Sequence, residues 1–195
     1  MNLLKHRSMR FYFVFFLILT MAIGGSAIAA FADSGTGASV AITGGSLSEQ
    51  GPSTVSANPV TLTGDDQTTS YDLGLTVNDP RGNGLGWNLT ITSTTFTGTN
   101  VNNKLSNTAS NINGAPTVSC ISGGGHCTPP NNGVTYSVGV PAGASAPTPV
   151  EFFNAAAASG LGKFTITPAV TISIPANTTA DTYTSTVSVA IVSGP

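Results

Sequence analysis

Alternation of apolar with small polar residues, at a period of two, runs through most of the chain beyond the first forty residues. In "YDLGLTVN" it puts Leu73, Leu75 and Val77 on one side. "WNLTIT" does the same for Trp87, Leu89 and Ile91, and "VTYSVGV" for Val134, Tyr136, Val138 and Val140. Phe164 and Ile166, then Val170, Ile172 and Ile174, make two more runs divided at Pro168. Tyr183, Val187, Val189 and Ile191 close the chain, while Val40/Ile42 and Val60/Leu62 give shorter runs near its start. Such a period places alternate side chains on opposite faces of a strand, one apolar and one wet. The wet face is mostly Thr and Ser, which suit an exposed pleated surface.

Turn formers separate the runs: Gly44-Gly45, Gly64-Asp65-Asp66, Pro80 to Gly86, Pro129 to Gly133, Pro141 to Pro149 and Pro175-Ala176-Asn177. Short alternating strands joined in this way predict an all-β fold, an antiparallel β-sandwich or barrel-like domain. One stretch, "EFFNAAAASGLG", offers a helix of one or two turns at Ala155–Ala158, or else a loop that tucks Phe152 and Phe153 under the sheet. Residues 102–115 show no pattern and read as a long exposed loop.

The N-terminus is of another kind. Lys5, Arg7 and Arg10 precede the apolar run Phe11–Ile23, and small residues lead to Ala30-Phe31-Ala32. This is the layout of a secretory signal peptide over Met1–Ala32, cut after Ala32. An uncleaved anchor is the competing reading, because Phe11–Ala32 is long enough to span a bilayer. Residues 33–195 then form one domain, long enough to bury a core.

Beyond the leader only Arg81, Lys104 and Lys163 are basic, against eight acids. So acidic a surface cannot neutralise a run of phosphates, which excludes nucleic acid as a partner. Cys120 and Cys127 flank a glycine-rich loop, and in an exported chain they predict a disulfide. A metal site of Cys120, His126 and Cys127 is the weaker alternative: adjacent His and Cys point apart in an extended chain, and a fourth ligand is missing.

The residues argue against an enzyme. Gly82, Gly84 and Gly86 do not make a dinucleotide loop, because Trp87 stands where the third glycine would fall and a strand follows instead of a helix. A nucleophile needs a base, and past the leader the only histidine is His126. Glycoside hydrolysis needs two carboxylates across a cleft; Glu49 and Glu151 are the only glutamates. Asp65, Asp66 and Asp79 sit in turns, where acids commonly form turns and solubilise, with a calcium site as the sharper alternative. A Lys–Asn isopeptide crosslink would have to use Lys104 or Lys163, the latter if it points inward. No cofactor is expected.

Trp87, the single tryptophan, follows the turn "DPRGNGLG" and opens the strand Trp87-Asn88-Leu89. With "TISIPANTTADTYTSTVSVAIVSGP" at the other end, the chain resembles the WxL domain family of exported, cell-wall-associated proteins over residues 36–195. The resemblance implies non-covalent binding to peptidoglycan or another wall glycan, a place at the cell surface, and company with other exported surface proteins. It departs from the family where a second W-x-L is expected, since Val189-Ala190-Ile191 holds that place. Trp87, Asn88 and Leu89 are the candidate ligand residues, because an aromatic face on a rigid strand is a platform for a sugar ring. The alternative is that Trp87, Leu89 and Ile91 share the core. A self-assembling subunit of a surface layer or filament is the competing function, because low charge and open strand edges favour pairing between copies.

Overall fold

The structure is a computed structural model, and it describes residues 37–121 and 126–194. The expected signal peptide, Met1–Ala32, lies outside the described residues. Residues 37–41 carry no regular structure. The folded unit begins at Ile42.

Its strands are, in chain order, β1 (Ser48–Gln50), β2 (Gln67–Asp72), β3 (Leu75–Asp79), β4 (Trp87–Thr94), β5 (Thr97–Gly98), β6 (Ser110–Ile112) and β7 (Thr117–Cys120). Then come β8 (Val138–Gly139), β9 (Ala142–Gly143), β10 (Val150–Ala155), β11 (Gly162–Thr167), β12 (Ala169–Ile174), β13 (Tyr183–Thr184) and β14 (Val187–Ser193). The described residues are all-β, as the alternation predicts.

One long antiparallel pairing organises the first layer. β3 pairs with β11 from Asp79↔Gly162 to Leu75↔Ile166, and β2 pairs with β12 from Asp72↔Ala169 to Gln67↔Ile174. The register is the same in both, so β2–β3 and β11–β12 are one extended pair. Pro168 has no N–H to give, so the ladder breaks there; its carbonyl still accepts from Leu73 N at 3.0 Å. Because the register does not slip, Tyr71, Leu73, Leu75 and Val77 all stay inside, on the same face as Phe164, Ile166, Val170 and Ile172. β1 and β7 flank one end of this pair (order β1-β3-β11-β7), and β6 and β8 extend the other (β2-β12-β6-β8).

The second layer is β10-β4-β14, with β9 parallel to the far end of β4. β4 is central, and Trp87, Leu89 and Ile91 on its inner face join the first layer's side chains in one core. A bulge in β10 between Glu151 and Phe153 lets two consecutive residues, Phe152 and Phe153, both point inward.

At several places the structure departs from the sequence pattern. "EFFNAAAASGLG" forms no helix: Val150–Ala155 is a strand and a turn follows, because pairing with β4 and burial of both phenylalanines outweigh the alanines' preference. Residues 102–115 are not all exposed loop. Leu105, Ala109 and Ile112 are buried, and β6 pairs with β12, although short spacing hides the pattern among Asn and Ser. Val40/Ile42 and Val60/Leu62 are in no strand, and Val40 is 82% exposed. The 134–140 run alternates inward as expected, but only Val138–Gly139 enters a ladder.

Candidate functional site

The turn before Trp87 is held from several sides. Asp79, at the end of β3, is 1% exposed and receives both Nε and Nη2 of Arg81, at 2.8 and 2.9 Å. Burial works to raise the Asp79 pKa, but the hydrogen bonds and charge of Arg81 prevail and hold it below the usual carboxylate range. Arg81 Nη2 also donates to the Gly86 carbonyl at 2.7 Å, and Nη1 donates to Ser193 Oγ on β14. One guanidinium thus ties the end of β3 to the start of β4 and the end of β14. Gly86 has φ +75°, and a Cβ there would lie 2.2 Å from the Ala155 carbonyl, so only glycine lets the turn close on β10.

Trp87 then enters the core with no exposed surface. Its ring stacks on Phe153 at 5.9 Å between centroids, and Nε1 donates to the Gly160 carbonyl at 2.9 Å. Gly160 has φ +69°, and a Cβ there would meet Trp87 Nε1 at 2.7 Å. The same loop is fixed outward as well: Ala158 N donates to Gly84 O, and Asn131 N donates to Ser159 Oγ. Trp87 therefore joins the glycine turn, the loop after β10 and the segment after Cys127.

The three candidate ligand residues divide. Trp87 and Leu89 are fully buried and offer nothing to a molecule outside; of the two alternatives for Trp87, the geometry is that of the core. Asn88 faces outward and is half-exposed. Its Nδ2 donates to Gly194 O at 3.2 Å, and its Oδ1 is buried without a partner. Thr90 is half-exposed beside it, whereas Thr92 is buried under the loop that follows β9, donating to Pro147 O at 2.8 Å. Val189-Ala190-Ile191, the place of the expected second W-x-L, lies alongside the first: Ile191 pairs with Leu89 and Val189 with Ile91.

Cys120 and Cys127 form the expected disulfide, with 6.2 Å between their Cα atoms. Both sulfurs are used, so the alternative metal site has no thiolate to offer. Residues 122–125 of its loop lie outside the described residues. Among the described residues no three His, Cys, Asp or Glu gather as metal ligands. Asp66 and Asp79 instead cap Ala176 N and bind Arg81. Lys163 is exposed, opposite Asn78, because Phe164 takes the inward place next to it; the inward lysine needed for an isopeptide is not found there.

A surface feature that the sequence did not show opens where β4 ends. An open groove of about 420 Å³ is lined by Thr94, Thr97, Lys104, Ala144, Thr184 and Thr186, among others. The residues come from four chain segments that only the fold brings together. Next to it, outside the lining, Asp181 accepts from Asn103 Nδ2 at 2.9 Å and from the backbone N–H groups of Asn100, Thr182 and Thr99. These donors hold its pKa down to about 2.

The family model described as WxL domain, surface cell wall-binding, matches residues 45–195. The chain belongs to the WxL domain family. The match spans the whole sandwich, so this is a surface, cell-wall-binding domain. Neither the curated proteins nor the solved structures contain a match. In this WxL chain the tripeptide that names the family is a packing element: the tryptophan and leucine are core, and only the residue between them reaches the surface.

Proposed function

We propose that the protein is exported by its N-terminal leader, holds the wall non-covalently by binding peptidoglycan, and acts as a binding module without catalysis. The observation that carries this is the extent of the family match. The match at residues 45–195 takes in every strand from β1 to β14, which supports placing wall binding on these strands. With Trp87 buried, recognition falls to a surface of hydroxyls and amides, which supplies neutral donors and acceptors suited to a glycan. The non-catalytic reading is supported by the scatter of the carboxylates: Glu151 is exposed and accepts from Asn154, while Asp79 and Asp181 are taken up by structural donors.

Sedimentation with protein-free peptidoglycan sacculi tests it. Saturable co-sedimentation at physiological salt is the expected result, and a protein that stays in the supernatant at every sacculus concentration contradicts it. The competing reading, assembly between copies, is favoured by two open edges: β14 ends its sheet, and β7 ends another with all four residues exposed. Analytical ultracentrifugation separates the two, since an assembling subunit grows with concentration and a wall-binding module keeps one mass.

A further inference from the structure

The groove at the end of β4 is a preformed polar cleft with one cation. Its floor is fixed by hydrogen bonds among three segments: Thr94 N donates to Thr186 O at 2.9 Å, Thr95 N to Gly143 O at 2.8 Å, and Thr186 N to the Thr94 hydroxyl Oγ1 at 2.8 Å. Thr95 Oγ1 donates to Asn107 Oδ1 at 2.6 Å and fixes the strand from beneath. On this frame the side chains of Thr184 and Thr186 are exposed. Val101 adds an apolar rim, 68% exposed. Lys104 lines the same cleft. The ion pair among the described residues is Asp79–Arg81, so Lys104 has no carboxylate partner there. Asp181, the nearby acid, is engaged by its own four donors.

Hydroxyls on a rigid floor, a small apolar rim and a single ammonium fit a ligand with many hydroxyl and amide groups and one negative charge. The charge balance narrows its class. Beyond the leader the chain carries Arg81, Lys104 and Lys163 against eight acids, so a polymer with a phosphate at every repeat would be repelled along most of the surface. A sparsely charged glycan–peptide unit would not.

We propose that this groove is a binding site for a carboxylate-bearing sugar–peptide unit of peptidoglycan, with Lys104 holding the carboxylate and the exposed Thr184 and Thr186 hydroxyls meeting its sugar and amide groups. The proposal rests on the peptidoglycan reading above and goes further by naming the site and the charged group it takes.

The test is titration of the exported chain, labelled with ¹⁵N, with a soluble disaccharide–peptide fragment of peptidoglycan, beside an uncharged N-acetylglucosamine oligomer. Lys104→Gln and Ala144→Glu are the variants. Both positions are exposed, so both proteins fold. The expected result is amide shifts clustered at Thr94–Lys104, Gly143–Ala144 and Thr184–Thr186. Lys104→Gln should weaken binding roughly two- to fivefold, the range of an exposed ion pair, and Ala144→Glu about tenfold through repulsion of the ligand's carboxylate. Rising salt should erase the difference between wild type and Lys104→Gln. Shifts elsewhere on the sandwich would overturn the groove, as would equal binding of the uncharged oligomer or of Lys104→Gln. Co-sedimentation with sacculi alongside silence in the titration would likewise overturn the groove but leave the wall reading standing. Failure of both experiments would overturn both.

Discussion

Trp87 Nε1 donates to the Gly160 carbonyl at 2.9 Å inside the core, across 73 residues of chain. That bond closes the loop after β10 over the indole and joins the two halves of the domain's sequence within the core. Trp87→Phe removes the donor and part of the ring, and leaves the Gly160 carbonyl unpaired. The expected cost is about 2 kcal/mol, or roughly 4–8 °C in Tm for a domain of this size. Trp87→Ala adds a cavity and should cost about 3–5 kcal/mol. Thermal unfolding followed by far-UV circular dichroism reads both, and an unchanged Tm in Trp87→Ala would contradict the core role.

Two glycines in the turn before Trp87 should respond differently to the same change. Gly82 and Gly86 both have positive φ, but a Cβ at Gly82 meets nothing within 4 Å, whereas at Gly86 it lies 2.2 Å from Ala155 O. Gly82→Ala therefore carries only the backbone strain, about 1 kcal/mol. Gly86→Ala adds a collision with main chain that cannot move without shifting β10, and should exceed it by at least ~2 kcal/mol. Equal losses in urea unfolding would count against the close approach.

Acid should weaken the fold through Asp79 and Asp181. Both have folded-state pKa values below their ordinary ones, Asp181 at about 2. A carboxylate so depressed stabilises the fold fully above its unfolded pKa of about 3.9 and loses that contribution as pH falls through the folded value. The acid limb of the stability curve should therefore begin below about pH 5 and continue to about pH 2. Asp79→Asn and Asp181→Asn should each flatten it, while lowering the stability measured at pH 7. An acid limb identical to wild type in both variants would show that neither group carries the dependence.

The Cys120–Cys127 disulfide closes a short loop at the sandwich's edge, between β7 and the segment reaching Leu161. Reduction should cost about 2 kcal/mol on chain-entropy grounds and leave the core intact. Hydrogen exchange before and after reduction should speed up around residues 117–128 and leave β4 protected. Loss of protection throughout β4 would make the disulfide a condition of the whole fold.

Much of the architecture is legible in the sequence because alternation is a local signal. The inner faces of β3, β4, β11 and β12 can be read directly from their apolar periods, and the constant register across Pro168 follows from a period that keeps its phase through the break. β6 is hidden because its inward places are taken by Ser110 and Ile112 among asparagines, too short a run for a period to show. The Phe152–Phe153 pair defies alternation because a bulge, which depends on the partner strand, turns both inward. For the candidate site the limits are sharper. The burial of Trp87 and Leu89 follows from their strand face, yet the hold of Arg81 on Ser193 and of Gly160 on Trp87 spans distances no local pattern records. The groove around Lys104 is assembled from four separated segments, each unremarkable by itself.

On the proposed function, wall binding belongs to the sandwich's surface and Trp87 serves it from within. Co-sedimentation of Trp87→Phe with protein-free sacculi, at a temperature where circular dichroism shows the variant folded, tests this most directly. Folded Trp87→Phe is expected to bind within about twofold of wild type. A folded variant that no longer sediments, beside a wild type that does, would make the tryptophan a contact with the wall and contradict the claim.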